Sequence, residues 1–257
     1  MEAASTGPSH PYKTFWKRLI ESSSSGKAQK KIKIQGKDLS SPSLEVFSFE
    51  DMQILNMSPE RESCLAYQMN CVPKQIGRLM NLTALYMDTN DLEEIPPDVG
   101  TLRNLRRLAL SNNFLDSLPS ELSRLPNLQS LHLANNNFKD FPSVICQLRN
   151  LTFLDVSDNQ IETIPAAINQ LGNVETFLFA FNCLKRLPEE FCLLTKLRCL
   201  WLGHNDLREL PKGFGNLTLL DWGQSYCSLN FEGNPLQHPP TDICSGGPHK
   251  IKEYFGL

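Results

Sequence analysis

An asparagine recurs every 23 residues, without a gap, through the central part of this chain. These asparagines are Asn90, Asn113, Asn136, Asn159, Asn182 and Asn205. A proline follows each of them by six residues, at Pro96, Pro119, Pro142, Pro165, Pro188 and Pro211. Residues 79–217 therefore repeat six times the pattern Leu-x-x-Leu-x-x-Leu-x-Leu-x-x-Asn-x-Leu-x-x-Leu-Pro. A fixed period of this length predicts a solenoid in which each repeat packs on its neighbours.

Apolar residues stand five and three positions before each asparagine, as Leu131 and Leu133 do before Asn136. This alternation predicts a short strand with one buried face. The proline discourages further strand pairing and begins the return of the chain. A second apolar set, which includes Ile145 and Leu148, has the spacing of a short helical or 3₁₀ turn that faces inward.

The pattern is typical of an α/β leucine-rich repeat solenoid, or horseshoe. Its parallel sheet is expected on the concave face, and its short helical or 3₁₀ turns on the convex side. The asparagine side chain can both donate and accept hydrogen bonds, so it can satisfy buried main-chain groups of neighbouring repeats. A surface-turn role is the alternative. After an insertion, Asn234 resumes the same column.

Four parts of the chain are predicted. Residues 1–26 form a flexible segment with a short amphipathic helix, and residues 27–78 contain degenerate first repeats. Residues 79–217 hold the six regular repeats, and residues 218–257 hold the last repeat and a cap. In the degenerate repeats Lys37 and Glu60 take the asparagine position. Residues in excess of the period fall at 59–67 and 221–226, where each insertion is either functional or splice-derived.

Near the amino terminus, Phe15, Trp16, Leu19 and Ile20 would share one side of a short helix. The helix either covers the open end of the first repeat or binds a partner or a membrane surface; disorder is the remaining alternative. The basic run that begins at Lys27 is either a solvated edge or a localisation or phospholipid patch.

The carboxy-terminal pattern Asn234-Pro-Leu-x-x-Pro-Pro, with Ile243-Cys244 and Ile251-x-x-Tyr-Phe255, suggests a last repeat closed by a short helix. This ending and the 23-residue Leu-Pro repeat resemble the intracellular leucine-rich repeats of the Ras-suppressor and Ras-scaffold group. The resemblance covers roughly residues 30–255. It implies a horseshoe that binds proteins as a scaffold or adaptor, here as a stand-alone module or a shortened isoform.

The eight cysteines do not suggest a disulfide framework. Cys146 and Cys192 share a column two repeats apart, which places them about 10 Å from each other, too far for a bridge. Buried thiols in a reducing compartment are expected. Two of the four glycosylation sequons, at Asn81 and Asn150, belong to a repeat column, so repeat drift explains them better than glycosylation.

No motif for catalysis, metal binding or cofactor binding stands out, so no catalytic residue, metal ligand or cofactor is predicted. The net charge of −3 gives no bias toward nucleic acid, and no apolar run predicts a transmembrane segment. No signal peptide is expected. A cytoplasmic monomer that binds a protein partner is predicted, with a nuclear location also open.

Side chains six, four and one positions before each asparagine are expected to face the concave side. In the carboxy-terminal half, large apolar residues gather there with polar ones around them, which is typical of an interaction site. The candidate partner-binding residues are Phe153, Asp155, Asp158, Leu178, Phe181, Trp201 and His204. The alternatives are that Leu178 and Phe181 pack against their own strand, or that residues 221–226 fold over Trp201.

The predicted function is a non-catalytic scaffold or adaptor that binds a protein through its concave face. A regulatory subunit of a signalling enzyme (a phosphatase, a GTPase pathway or a ubiquitin ligase) is the alternative. A structural component of a specialised assembly also stays open.

Overall fold

A computed structural model describes residues 30–34, 44–59, 68–220 and 229–257. In these residues, nine short strands form one parallel sheet in which each strand pairs with the next along the chain. The strands are β1 (Lys31–Lys33), β2 (Ile54–Asn56), β3 (Ala84–Tyr86), β4 (Arg107–Ala109), β5 (Ser130–His132), β6 (Phe153–Asp155), β7 (Thr176–Leu178), β8 (Cys199–Trp201) and β9 (Leu229–Asn230). The predicted solenoid with a parallel sheet is therefore confirmed.

Single 3₁₀ turns of five residues connect the strands on the opposite side of the repeats. They span Leu44–Ser48, Lys74–Arg78, Pro97–Thr101, Ser120–Arg124, Ser143–Gln147, Ala166–Gln170, Glu189–Leu193 and Lys212–Asn216. In one of them, extended Pro142 precedes the turn and the Leu148 N–H donates to the Ile145 carbonyl at 2.9 Å. Ile145 and Leu148 are both buried, as predicted, because each turn directs two apolar side chains inward.

The core is a continuous stack of the apolar columns identified in the sequence. Leu131 and Leu133 are fully buried. In the first two strands, Leu55 is fully buried and Ile32 nearly so. Strands β1 to β8 are only three residues long, so each covers positions six to four before the asparagine column, and β9 covers positions five and four. The inward-facing residue three before the asparagine lies just beyond the strand.

The repeated asparagines connect adjacent repeats through both ends of their amides. Asn136 Nδ2 donates to the Leu110 carbonyl of the preceding repeat and to the Leu133 carbonyl of its own, each at 3.0 Å. Its Oδ1 accepts from the Leu115 N–H at 3.0 Å. The column from Asn90 to Asn205 is buried, and Asn234 makes the equivalent contacts with Leu202 and Leu207 while half exposed.

A second asparagine column lies on an exposed flank and contains the sequon residue Asn150. Asn150 Nδ2 donates to the Pro126 carbonyl at 2.7 Å, and Asn127 Nδ2 donates to the Arg103 carbonyl at 2.9 Å. Each side chain thus bonds to the backbone of the preceding repeat. This column therefore has a structural use that is independent of glycosylation.

Two helices follow the last strand, α1 (Thr241–Ser245) and α2 (Gly247–Phe255). Ile251 of α2 is fully buried and Cys244 of α1 nearly so. Gly215, in the last 3₁₀ turn, approaches α2 so closely that a Cβ there would lie 2.8 Å from the Pro248 carbonyl oxygen. The helices thereby cover the apolar end of the repeat stack.

Several predicted features fall outside the residues that the structure describes. They are the amphipathic segment at 12–20, the basic run from Lys27, the degenerate asparagine positions Lys37 and Glu60, residues 60–67 of the insertion predicted at 59–67, and the insertion 221–226. Among the helices that are described, none combines the length and the apolar character needed to cross a membrane.

Candidate functional site on the concave face

The strand register arranges the candidate residues of β6, β7 and β8 in two rows across the sheet. One row joins Phe153, Thr176 and Cys199, and the other joins Asp155, Leu178 and Trp201. Neighbouring strands in a sheet lie about 4.8 Å apart, so residues in one row are direct neighbours. Leu178 therefore lies between a carboxylate and an indole ring.

A third row lies just past the strands and contains Asp158, Phe181 and His204. These residues have φ angles of 53°, 56° and 52°, in the left-handed region, as do Thr89, Asn112 and Asn135 in the earlier repeats. This column was predicted to face the concave side together with the strand residues, and the structure places it past the strands, in a left-handed turn. The N–H of Phe181 donates to the Gly203 carbonyl at 2.9 Å, and the equivalent bond of Asp158 reaches Ala180. These hydrogen bonds between repeats stabilise a left-handed backbone conformation that residues other than glycine, asparagine and aspartate rarely adopt.

Phe181 is 52% exposed, and its ring stacks on the His204 ring with centroids 4.4 Å apart and planes 9° from parallel. Trp201 is 38% exposed and Leu178 is half-buried. Phe177 and Phe179, which belong to the same segment as Phe181, are fully buried on the other face of the sheet. Phe181 thus contacts a neighbouring repeat instead of its own strand. Whether residues 221–226 fold over Trp201 falls outside the described residues.

Phe153 belongs to a different cluster. Its ring lies 4.6 Å from the ring of His132 in the preceding strand, and His132 Nε2 shares a hydrogen bond of 2.8 Å with Ser130 Oγ. Burial, and then the positive charge of Arg107, lower the pKa of His132 to about 4. His132 is therefore neutral at pH 7. Phe153 lies at the start of β6, whereas Asp158 and Phe181 lie past the ends of their strands.

The two aspartates of the candidate surface differ in environment. Asp155 is half-buried, and its Oδ1 accepts from the Ser157 N–H at 3.0 Å. Burial raises the pKa of Asp155, and the charge of nearby Asp158 raises it further, while the bond from Ser157 acts in the opposite direction. Asp158 is exposed. A partly desolvated carboxylate therefore lies close to a solvated one.

A further concave column, two positions before each asparagine, was not predicted from the sequence. It contains Asp88, Ser111, Ala134, Ser157, Ala180, Gly203 and Glu232. Extending the strand alternation by one step would have identified it. Asp88 Oδ1 accepts from the Ser111 N–H at 2.9 Å, and burial raises the pKa of Asp88. Ala180 and Gly203, the small residues of this column in the repeats of the candidate surface, are buried.

Among the residues that the structure describes, the thiols and the potential metal ligands do not form a second site. None of the six cysteines in the described ranges forms a disulfide bond. Burial is the main cause that raises the pKa of Cys146 to about 11 and that of Cys192 to about 12. Within the same ranges, histidine, cysteine and acidic side chains do not gather in groups of three that could hold a metal ion.

Stacked strands, 3₁₀ turns and buried asparagines define a class of repeat solenoid with a parallel concave sheet. A family model described as "Leucine rich repeat" matches residues 80–138 and 103–161, and another of the same description matches residues 196–217. Residues 80–161 and 196–217 thus match leucine-rich repeats, and the fold is that of a leucine-rich repeat solenoid. Comparison with curated proteins gave no significant match.

Solved structures of similar fold include two plant receptors. The peptide hormone receptor RGFR1, in complex with RGF2, is 25% identical over 82% of this chain and 36% of its own, with a TM-score of 0.66. The receptor kinase ectodomain GASSHO1/SCHENGEN3 of Arabidopsis thaliana, in complex with CASPARIAN STRIP INTEGRITY FACTOR 2, is 25% identical over 83% of this chain and 28% of its own, with a TM-score of 0.61.

An internalin of Listeria monocytogenes shares the fold alone. It is 20% identical over 75% of this chain and 65% of its own, with a TM-score of 0.56. The chain spans about a third of the length of the two plant receptors.

Proposed function

We propose that this protein is a non-catalytic scaffold or adaptor that binds a protein partner through the carboxy-terminal half of its concave face. The observation that carries the proposal is the group formed by Leu178 and Phe181 of one repeat and Trp201 of the next. Phe181 and Trp201 keep 52% and 38% of their surface exposed. Exposed aromatic groups next to polar side chains are typical of protein interfaces.

The fold supports the same function. Leucine-rich repeats generally act in protein–protein interaction, and the two plant receptors described above are in complexes. A rigid sheet presents its side chains at fixed spacing, so little conformational entropy is lost when a partner binds. A binding role therefore fits the molecule better than a catalytic one.

We also propose that the protein works as a monomer inside the cell and belongs to the Ras-suppressor-like group of leucine-rich repeat proteins. The 23-residue Leu-Pro period and the ending from Asn234 to Phe255 support the grouping. The thiols of Cys146, Cys192 and Cys244, buried within the described structure, support a reducing compartment.

Affinity capture from an extract of cells that express the protein tests the site. The wild type is compared with a Phe153→Ala/Phe181→Ala/Trp201→Ala variant whose fold is checked by circular dichroism. Phe114→Ala is the matched control, because Phe114 is also 52% exposed but lies outside the candidate surface. We expect a partner that is captured by the wild type and the control and lost from the triple variant.

A partner retained by the folded triple variant would contradict the concave site. If the triple variant unfolds, Phe181→Ser alone, at the most exposed of the three positions, replaces it. An enzyme captured in a one-to-one ratio, with altered activity, would indicate a regulatory subunit instead of a scaffold.

A further inference from the structure

We propose that the concave site binds a partner segment in which a lysine or arginine stands within two residues of a large apolar side chain. This inference rests on the proposed function and adds the chemistry of the partner. The apolar side chain would contact Leu178, Phe181 and Trp201. The cation would lie between the carboxylates of Asp155 and Asp158.

The charge of the surface is the first observation. At the concave positions of β6 to β9 and the turns after them, the described residues include the acidic side chains Asp155, Asp158 and Glu232 and no lysine or arginine. The nearest basic residue in the rows of the sheet is Arg107 in β4, two strands from β6. Its guanidinium lies over the Tyr86 ring, 5.5 Å from the centroid.

Two basic residues on the flanks of the same repeats have acidic partners. Lys185 Nζ lies 2.6 Å from Glu162 on one flank, and Arg198 Nε lies 3.9 Å from Glu175 on the other. Because these two cations are paired on the flanks, they do not neutralise the acidic side chains of the concave side. A cationic partner is therefore favoured over an anionic one, because electrostatic complementarity selects partners and raises association rates.

The state of Asp155 is the second observation. Its carboxylate is partly withdrawn from water and close to a like charge, and both effects raise its pKa. A charge in such an environment gains more from an opposite charge than a fully solvated one does. Lysine or arginine bound there would therefore stabilise the ionised form of Asp155.

The spacing of the groups sets the length of the motif. Asp155 and Leu178 are register partners on adjacent strands, and so are Leu178 and Trp201. These neighbours lie about 5 Å apart, and alternate residues of an extended segment lie about 7 Å apart. A cationic and an apolar residue at adjacent or alternate positions can therefore reach both parts of the surface.

A displayed library of random 12-residue peptides, selected on the purified full chain, tests the proposal. We expect enrichment of lysine or arginine within two positions of leucine, phenylalanine or tryptophan. Enriched peptides are then synthesised, and their Kd is measured by fluorescence anisotropy with the wild type and with Asp155→Asn/Asp158→Asn. Loss of both charges is expected to weaken binding on the order of tenfold or more.

Asp116→Asn/Asp140→Asn is the control, because it removes the same charge from exposed positions outside the surface. We expect this variant to bind like the wild type. Enrichment of acidic or uncharged peptides, no enrichment at all, or equal binding by both double variants would overturn the proposal. If the extract partner is still lost from the aromatic variant in that case, the proposed function stands and only the partner chemistry is wrong.

Discussion

At the scale of single residues, the repeated asparagine is the most constrained side chain of this fold. The side-chain amide of Asn136 donates hydrogen bonds to carbonyls of two repeats and accepts one from a main-chain N–H. Burial makes these bonds costly to remove, because the backbone groups left behind have no access to water. The same logic applies to each member of the buried column.

Asn136→Ala is expected to destabilise the protein strongly. It leaves the buried Leu115 N–H without its partner, and a buried unsatisfied group costs about 1–3 kcal/mol. It also removes one of the two hydrogen bonds to the Leu110 carbonyl, which keeps the bond from Asn113 Nδ2. Urea denaturation measures the change. Asn127→Ala, which removes one exposed bond to the Arg103 carbonyl, is the control and should cost less than about 1 kcal/mol. Equal losses in the two variants would contradict this account.

Asp155→Asn is expected to raise the melting temperature at pH 7. Burial raises the pKa of Asp155 in the folded state above its ordinary value of 3.8, so ionisation opposes folding. Stability is therefore lost as pH rises through the range above 3.8, and the loss persists at pH 7. Asparagine does not ionise and keeps an oxygen that can accept from Ser157.

The advantage of Asp155→Asn should shrink as the pH falls toward 3. Thermal unfolding across this pH range, with exposed Asp140→Asn as the control, measures it. A variant that is less stable than the wild type at pH 7, or whose advantage is independent of pH, would disagree with this prediction.

At the scale of elements, the 3₁₀ turns of successive repeats pack backbone against backbone. Gly100, in the turn Pro97–Thr101, faces the turn Ser120–Arg124 so closely that a Cβ would lie 2.4 Å from the Glu121 carbonyl oxygen. A 3₁₀ turn is narrow, with about 2.0 Å rise per residue. Small residues at such contacts therefore determine how closely neighbouring repeats approach.

Gly100→Ala is expected to destabilise the protein by about 1–3 kcal/mol, because the added methyl group forces the two turns apart. Gly172→Ala is the matched control, since a Cβ at Gly172 would meet no atom within 4 Å. Its effect should stay within about 0.5 kcal/mol. Chemical denaturation measures the stability of both variants. Similar denaturation midpoints would show that the close approach at Gly100 does not limit stability.

At the scale of the whole molecule, each repeat contacts mainly the repeats beside it, so stability is distributed along the chain. The ends of such a stack need a cover, which α1 and α2 supply at the carboxy terminus. Ile251 is fully buried against this end. Damage to the cover should therefore spread from the last repeats inward and weaken with distance.

Ile251→Ala is expected to cost about 2–5 kcal/mol at the carboxy-terminal end. Hydrogen exchange should show the loss first at the amides of Leu202 and Leu210, while those of Leu110 and Leu133 stay protected. Glu253→Ala, at an exposed position of α2, is the control. A uniform loss of protection through all repeats would show that the molecule unfolds as one cooperative unit instead.

The sequence by itself determined the repeat, the parallel sheet, the short inward turns and the core, because a period of 23 places each apolar column on one side of every turn of the solenoid. It left open whether those turns are helical or 3₁₀. It also identified the exposed aromatic residues of the candidate site, whose binding role stays a prediction. The concave column that contains Asp88 and Ala180 continues the strand alternation, so it could have been predicted from the sequence but was not.

Only the tertiary structure decided which side chains of different repeats meet. The left-handed turn before each asparagine depends on hydrogen bonds to the next repeat, so no local pattern at Phe181 or His204 reveals it. The same turn stacks Phe181 on His204, whereas the strand register places Phe153 against His132. A one-dimensional period specifies what faces inward, but contacts across the wall depend on register and backbone conformation in three dimensions.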